Sequence, residues 1–250
     1  MEKKKQSSVP GTVLALLAFI LLWALLAALL KRPFLPGPLK TFTALHSLWE
    51  RGALVPHLFA SLSRVLWALV VSVLPASLLG LAAGRSPRMD SVISPVMYLL
   101  HPLPKAAFLP VIMLILGLGE ASKIFLLGFI IFSQILVSAR DASRQVPSEL
   151  TASVRSLGAG RMARFRHVIL PACLPALFTG LRVSLGTASA VLFLAETFAT
   201  DTGLGYLITD AWARVAYTEL YAAITALSLM GLSLFALADL AERLCCPWKE

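Results

Sequence analysis

From Val13 to Leu30 the chain carries no charged side chain, and comparable apolar runs recur as far as Leu237. A run of about 20 such residues is long enough to cross the hydrocarbon core of a bilayer as a helix. Inside that core every backbone N–H and C=O must find a partner within the protein, which such runs achieve as helices. The composition agrees: 58% of the residues are apolar and 14% charged, with mean hydropathy +0.82, against roughly 45–50% and about 25% in soluble domains. The expected fold is an all-α polytopic membrane protein with about six transmembrane helices. No polar stretch is long enough for a core of its own, so one bundle is expected.

MEKKK ahead of Val13–Leu30 has the layout of a signal peptide. The apolar run exceeds the roughly 7–15 residues of a signal core and no clear cleavage site follows, so it reads as an uncleaved first span. Lys31 to Pro56 reads as an interfacial loop, and Ser61–Gly84 as the second span, with Arg64 near its start expected to snorkel to the surface. Val92–Leu118 is the third apolar run, interrupted by His101-Pro102-Leu103-Pro104-Lys105. Two prolines delete amide donors and break the helix, which membranes tolerate only where protein or water lines the gap. Lys123–Ala139, Pro175–Thr197 and Glu219–Leu237 complete the set. Ala199–Thr218 reads as a loop shaped by Gly203 and Gly205, and Asp239–Glu250 as a polar tail. Cys173, Cys245 and Cys246 have no metal spacing and read as free thiols.

The net charge of +9 raises nucleic acid as a partner. The basic residues lie in loops between apolar runs, however, which is the pattern of a topology signal, so no nucleic acid is expected. With the amino terminus inside, the cytoplasmic segments hold Lys3, Lys4, Lys5, Arg85, Arg88, the arginines from Arg140 to Arg166, Arg243 and Lys249. These outnumber Lys31, Arg32, Lys40, Arg51, Lys123 and Arg214 on the other side. Both termini, and the polar stretch Pro147–Pro171, are therefore expected in the cytoplasm.

That stretch, PSELTASVRSLGAGRMARFRHVILP, fits two short helices. Ser148 is placed to cap the first, Leu150, Val154 and Leu157 share one face, and Gly158 ends it. Met162, Phe165 and Ile169 form a second stripe that Pro171 limits. Leu157, Met162 and Phe165 are apolar and need cover from something outside the membrane, or from the spans above them.

The stretch resembles the signature loop of permease subunits in binding-protein-dependent ABC importers. The family pattern is Glu-Ala-Ala, three residues, Gly, nine residues, Ile, one residue, Leu-Pro. Gly158 takes the glycine place, Val168 the isoleucine place, and Leu170-Pro171 close it; Ala152, Ser153 and Val154 occupy the first three places, so the usual glutamate is absent and Glu149 lies one turn earlier. Further points of likeness, to the nitrate, sulfonate and taurine branch, are Pro175, Gly180-Leu181-Arg182, Ala195-Glu196, Gly203-Leu204-Gly205, His101-Pro102-Leu103-Pro104 and Leu109-Pro110. That branch also includes permeases for thiamine precursors and other small organic molecules.

The resemblance implies a type I ABC importer transmembrane domain over residues 61–250, with residues 1–60 as an added span and outer loop. It implies a multi-pass protein of the bacterial inner membrane that forms the path for a small solute. The ATPase-coupling residues would be Ala152, Ser153, Val154, Leu157, Gly158, Ala159, Met162, Phe165, Leu170 and Pro171. The partners would be a dimer of ATPase subunits, a second permease copy in a homodimer, and a periplasmic or lipid-anchored binding protein. No phosphate-binding loop is present, since Gly117–Lys123 lacks the Gly-Lys pair. ATP and Mg are thus expected on the partner, and no cofactor or catalytic residue on this chain.

For the substrate path the candidates are His101, Pro102, Pro104, Lys105 and Glu196, with Lys105 the best anion-facing group. A charge at mid-bilayer costs about 2.5–3.5 kcal/mol, so Lys105 either meets an anion or lines a protein-filled gap. Glu196 would face the path or cap the interface, and Arg182 would bond a carbonyl or a substrate. Ser133 and Gln134 are adjacent and point to different faces. A secondary transporter would use buried acids and internal repeats, of which the runs show few. A membrane enzyme would need a motif such as HExxH or GxSxG, and His46, His57, His101 and His167 are scattered.

Overall fold

The computed structural model describes residues 9–100 and 102–249. Eleven α-helices, with short tighter or wider turns between them, account for the described chain. They are α1 (Val9–Leu30), α2 (Pro38–Glu50), α3 (Leu54–Arg85), α4 (Pro87–Leu100), α5 (Leu109–Leu116), α6 (Glu120–Gln145), α7 (Ser148–Ser156), α8 (Arg161–Arg164), α9 (Leu170–Glu196), α10 (Leu204–Ala213) and α11 (Tyr217–Cys245). Among the described residues five helices are long and apolar enough to cross a membrane, and six spans result if α4 and α5, bent by 84°, count as one broken span. That matches the expected all-α architecture, and the break falls where Pro102 and Pro104 remove backbone donors.

α3 and α6 form the most intimate helix pair, because small residues let their backbones approach. A Cβ at Gly80 would meet Ala139 Cβ and the Leu136 carbonyl at 2.6 Å, and one at Gly84 would meet the Arg140 carbonyl at 2.5 Å. Ser72 donates to the Gly128 carbonyl (2.9 Å) and Ser143 to the Leu81 carbonyl (3.0 Å). Without a hydrophobic drive between helices in lipid, close van der Waals packing and such bonds are what hold them. Val65, Ala68, Leu127, Ile131, Ile135, Leu185, Ala188 and Leu192 extend this seam to α9 as the main core. α1 stands apart: none of Val13–Leu30 is buried, and Trp23 attaches it by donating to the Pro36 carbonyl (3.0 Å) and stacking on Tyr221.

Several expectations change. The interfacial loop contains the amphipathic α2, which buries Thr41 and Leu48, and the loop after the fifth span contains α10, which buries Leu204, Leu207, Ile208 and Ala211. Both helices are short and bounded by Gly or Pro, so their period is brief in the sequence. The polar tail is mostly the last turns of α11, which runs to Cys245. Pro171 does not end a helix: α8, a wide five-residue turn (Phe165–Ile169) and α9 run on as one rod from Arg161 to Glu196. The extra residue in the wide turn accommodates a proline that has no N–H to give.

Candidate functional site

The corner between α7 and α8 is built by its own backbone. Gly158 has φ +83°, its N–H donates to the Arg155 carbonyl (3.0 Å), and the Ala159 N–H reaches the Val154 carbonyl (3.3 Å). This is the paired-bond helix ending that requires a left-handed residue, hence glycine. Ser148 does not cap α7; it is the first helical residue, and its hydroxyl faces Glu149. The apolar stripe splits in two. Leu157 is 85% exposed, Met162 75% and Leu150 51%, and Ala152 and Ser153 are exposed beside them. Val154 and Ala159 are half-buried. Phe165, Val168, Ile169 and Leu170 instead pack beneath Leu81, Ala139, Val146 and Cys173, with Pro171 half-buried in the same rod. The corner thus presents bare apolar side chains on one side and is rooted in the spans on the other.

At the helix break, Lys105 opens a short tight turn (Lys105–Phe108) and donates to the carbonyl of Leu100, the last residue of α4 (2.9 Å). It lines a cleft of about 450 Å³ with Met97, Phe132, Ser133, Gln134 and Ser138. Gln134 donates to Thr187 (3.1 Å), while its Oε1 is buried without a partner. Ser133 and Gln134 thus both border the cleft, although they are adjacent. Pro102 and Pro104 lie in the exposed link between α4 and that turn. His101 lies outside the described residues. The far end of α4 is tied to α6, where Arg140 bonds Asp90 (2.5 Å) and Ser94 (3.0 Å).

Glu196 is placed otherwise than a path residue or an interface cap requires. It is fully buried, as are Arg64 and Ser61. Arg64 does not snorkel, because its partners lie around it in the protein. It donates to Glu196 (2.6 Å), bidentately to Glu120 (2.6 and 2.5 Å), and to the carbonyl and hydroxyl of Thr202 (2.9 and 3.1 Å). Every N–H of the guanidinium is used. The same cluster caps α10 from other helices. His57 Nδ1 accepts from the Gly203 N–H (3.1 Å), Ser61 from the Leu204 N–H (2.8 Å), and Glu196 from the Gly205 N–H (2.8 Å). Gly203, at φ +121°, is required because a Cβ there would lie 2.6 Å from Arg64 Nη1 and collide with the Glu196 carboxylate. Sequence reading missed this cluster, although the signal was a cation in one apolar run and an acid at the end of another. Arg182 bonds neither a carbonyl nor an open path; Asp239 (2.7 Å) and Glu242 on α11 hold it.

Among the described residues no group of His, Cys, Asp and Glu is placed to hold a metal, and Cys173 and Cys245 are free thiols. The arrangement therefore consists of a rooted corner with exposed apolar tips, a polar cleft at a broken span, and a charged staple at the far end of the same long rod.

Residues 76–248, which take in the broken span, the corner and the staple except Arg64 and its neighbours on α3, match the family described as binding-protein-dependent transport system inner membrane component. The taurine transport system permease protein TauC of Escherichia coli is 32% identical over 244 residues, covering 95% of this chain and 88% of its own. The riboflavin transport system permease protein RibX of Chloroflexus aurantiacus is 31% identical over 242 residues, with 96% and 89% covered. The putative aliphatic sulfonates transport permease protein SsuC of Bacillus subtilis is 28% identical over 233 residues, with 92% and 84% covered. Apolar helices of spanning length, a Gly-hinged corner at the signature positions and relatives that match nearly end to end make this a multi-pass inner-membrane chain that belongs to the permease family of binding-protein-dependent ABC importers.

Proposed function

We propose that this translocation subunit receives force at the Gly158 corner and passes it along the rod from Arg161 to Glu196. Family membership implies an ATPase partner and a substrate-binding protein. In this reading two ATPase subunits bind ATP and Mg and do all the catalysis, while two identical permease copies enclose the path. Residues 61–250 form the permease core, and both termini and the corner lie in the cytoplasm, as the excess of basic residues there favours. Leu157 and Met162 seat in the ATPase, flanked by Ala152, Ser153, Val154 and Ala159. Phe165, Leu170 and Pro171 carry the displacement into the membrane as a lever. Relatives named for taurine and aliphatic sulfonates suggest a small organic anion as cargo.

The observation that carries the reading is the exposure of Leu157 and Met162 beside a rigid turn whose next residues are rooted under the spans. Large apolar side chains left bare next to charged neighbours mark a docking surface. Leu157→Asp is expected to abolish co-purification with the ATPase, or to reduce binding-protein-stimulated ATP hydrolysis by at least about tenfold, the equivalent of ~1.4 kcal/mol at the interface. Unchanged assembly and unchanged stimulation would refute the seat.

A further inference from the structure

We propose that Lys105 selects the cargo, a singly charged organic anion with an apolar body, by exchanging its bond to the Leu100 carbonyl for one to the anion. The inference rests on the permease reading and goes beyond it by naming the residue, its resting partner and the chemistry it admits.

The first support is the contrast among charges at the spans. Arg64 is satisfied by Glu196 and Glu120, Arg182 by Asp239 and Glu242, and Arg140 by Asp90. Lys123 is wholly buried between the carbonyls of Leu118 and Ala199, which leaves no room for a ligand. Lys105 differs from all of them. Among the described residues no carboxylate pairs with it, it is only half-buried, and its bond to Leu100 uses one of the three donors of an ammonium.

The second support is the cleft. Its volume of about 450 Å³ lies in the range of small-molecule sites, roughly 300–1,000 Å³. Among the described residues Lys105 is the one charged group on its wall; Ser133, Gln134 and Ser138 supply neutral polar groups, and Met97 and Phe132 are among the apolar ones. An organic anion gains a charge-assisted bond to Lys105 and apolar contact for its body. Among the described residues a cation finds no acid on this wall, and a neutral molecule gains only the weaker bond that an uncharged acceptor makes with the ammonium.

The third support is the position of the resting bond. Leu100 ends α4, and the last carbonyls of a helix need donors from outside it. Lys105, across the break, supplies one. An anion that recruits Lys105 removes that tie, so occupancy of the cleft and the angle between α4 and α5 become linked.

The test uses the purified permease–ATPase complex in lipid nanodiscs and three probes of matched size: butanesulfonate, butyltrimethylammonium and neutral butanesulfonamide. Calorimetric titration is expected to show butanesulfonate bound at least about tenfold tighter than either other probe. Lys105→Arg keeps this preference and Lys105→Gln loses it. Gln134→Glu, which adds an acid to the wall and leaves the Leu100 tie in place, turns the preference toward the ammonium probe. Equal binding of the three probes, or an unchanged preference in both Lys105→Gln and Gln134→Glu, overturns the proposal. Leu157→Asp separates the two readings: butanesulfonate binding to that permease persists if the Lys105 proposal holds, whether or not the ATPase seat does.

Discussion

The long rod made by α8, the wide turn and α9 is built on opposite principles at its two ends. At the Glu196 end, charge is buried and every donor of Arg64 is matched. At the Gly158 end, Leu157 and Met162 project with little cover, and the turn is closed by two backbone bonds alone. A buried ion pair is strongly destabilising to break singly, whereas an exposed apolar side chain contributes little to the fold of its own chain. The difference separates a part that holds the bundle together from a part that waits for a partner. The rod between them is about 50 Å long at 1.5 Å per residue and carries two irregularities, the wide turn and Pro175 inside α9, so a push at one end reaches the other through both.

The largest effect is expected from Glu196→Ala. It leaves Arg64 half-paired in a buried site and strips the acceptor from the Gly205 N–H. The expected cost is about 3–5 kcal/mol, read as a lowered thermal unfolding midpoint or loss of folded protein in detergent. Arg64→Met combined with Glu196→Leu should recover part of that loss, because the isolated charge is what costs most. The Arg64–Glu120 contact matters less: the Glu120 side chain is 56% exposed, and pairs open to solvent contribute roughly 0–1 kcal/mol. Parental stability in Glu196→Ala would erase the contrast between the ends.

How much of this the sequence disclosed follows from the range of each interaction. The spans, the break at Pro102–Pro104 and the Gly158 turn are set within a turn or two of chain, so apolar runs, prolines and a glycine announce them. The Arg64 cluster is not local: Glu120 lies 56 residues away and Glu196 132. Period and composition carry no information on such pairs, which is why Arg64 read as snorkelling and Glu196 as a path residue or a cap. Pro171 misled for another reason. A proline usually limits a helix, but here Phe165, Val168, Ile169 and Leu170 are anchored under Leu81 and Cys173, and packing overrides local preference. The same anchoring took Phe165 and Ile169 away from the exposed Met162, with which they share a stripe in the sequence.

One substitution made at both ends sharpens the contrast further. Gly158 lies at φ +83°, where alanine costs on the order of 1–2 kcal/mol, whereas Gly203 lies at φ 121° and ψ 158°, a region essentially confined to glycine, where the backbone penalty is larger. At Gly203 the new methyl group would also press on Arg64 and Glu196, whereas at Gly158 nothing lies within 4 Å of it. Gly203→Ala should therefore be the more damaging, at about 2–4 kcal/mol once strain and displaced ion pairs are combined. Gly158→Ala should lie near the backbone penalty alone, with unfolding of α7 rather than of the bundle. Thermal unfolding of the two variants, with proteolysis between Val146 and Arg161 as the local readout, compares them directly. A Gly158→Ala loss as large and as global as that of Gly203→Ala would mean that the corner is part of the bundle's cooperative core, and a lever rooted in that way could not reorient without unfolding its support.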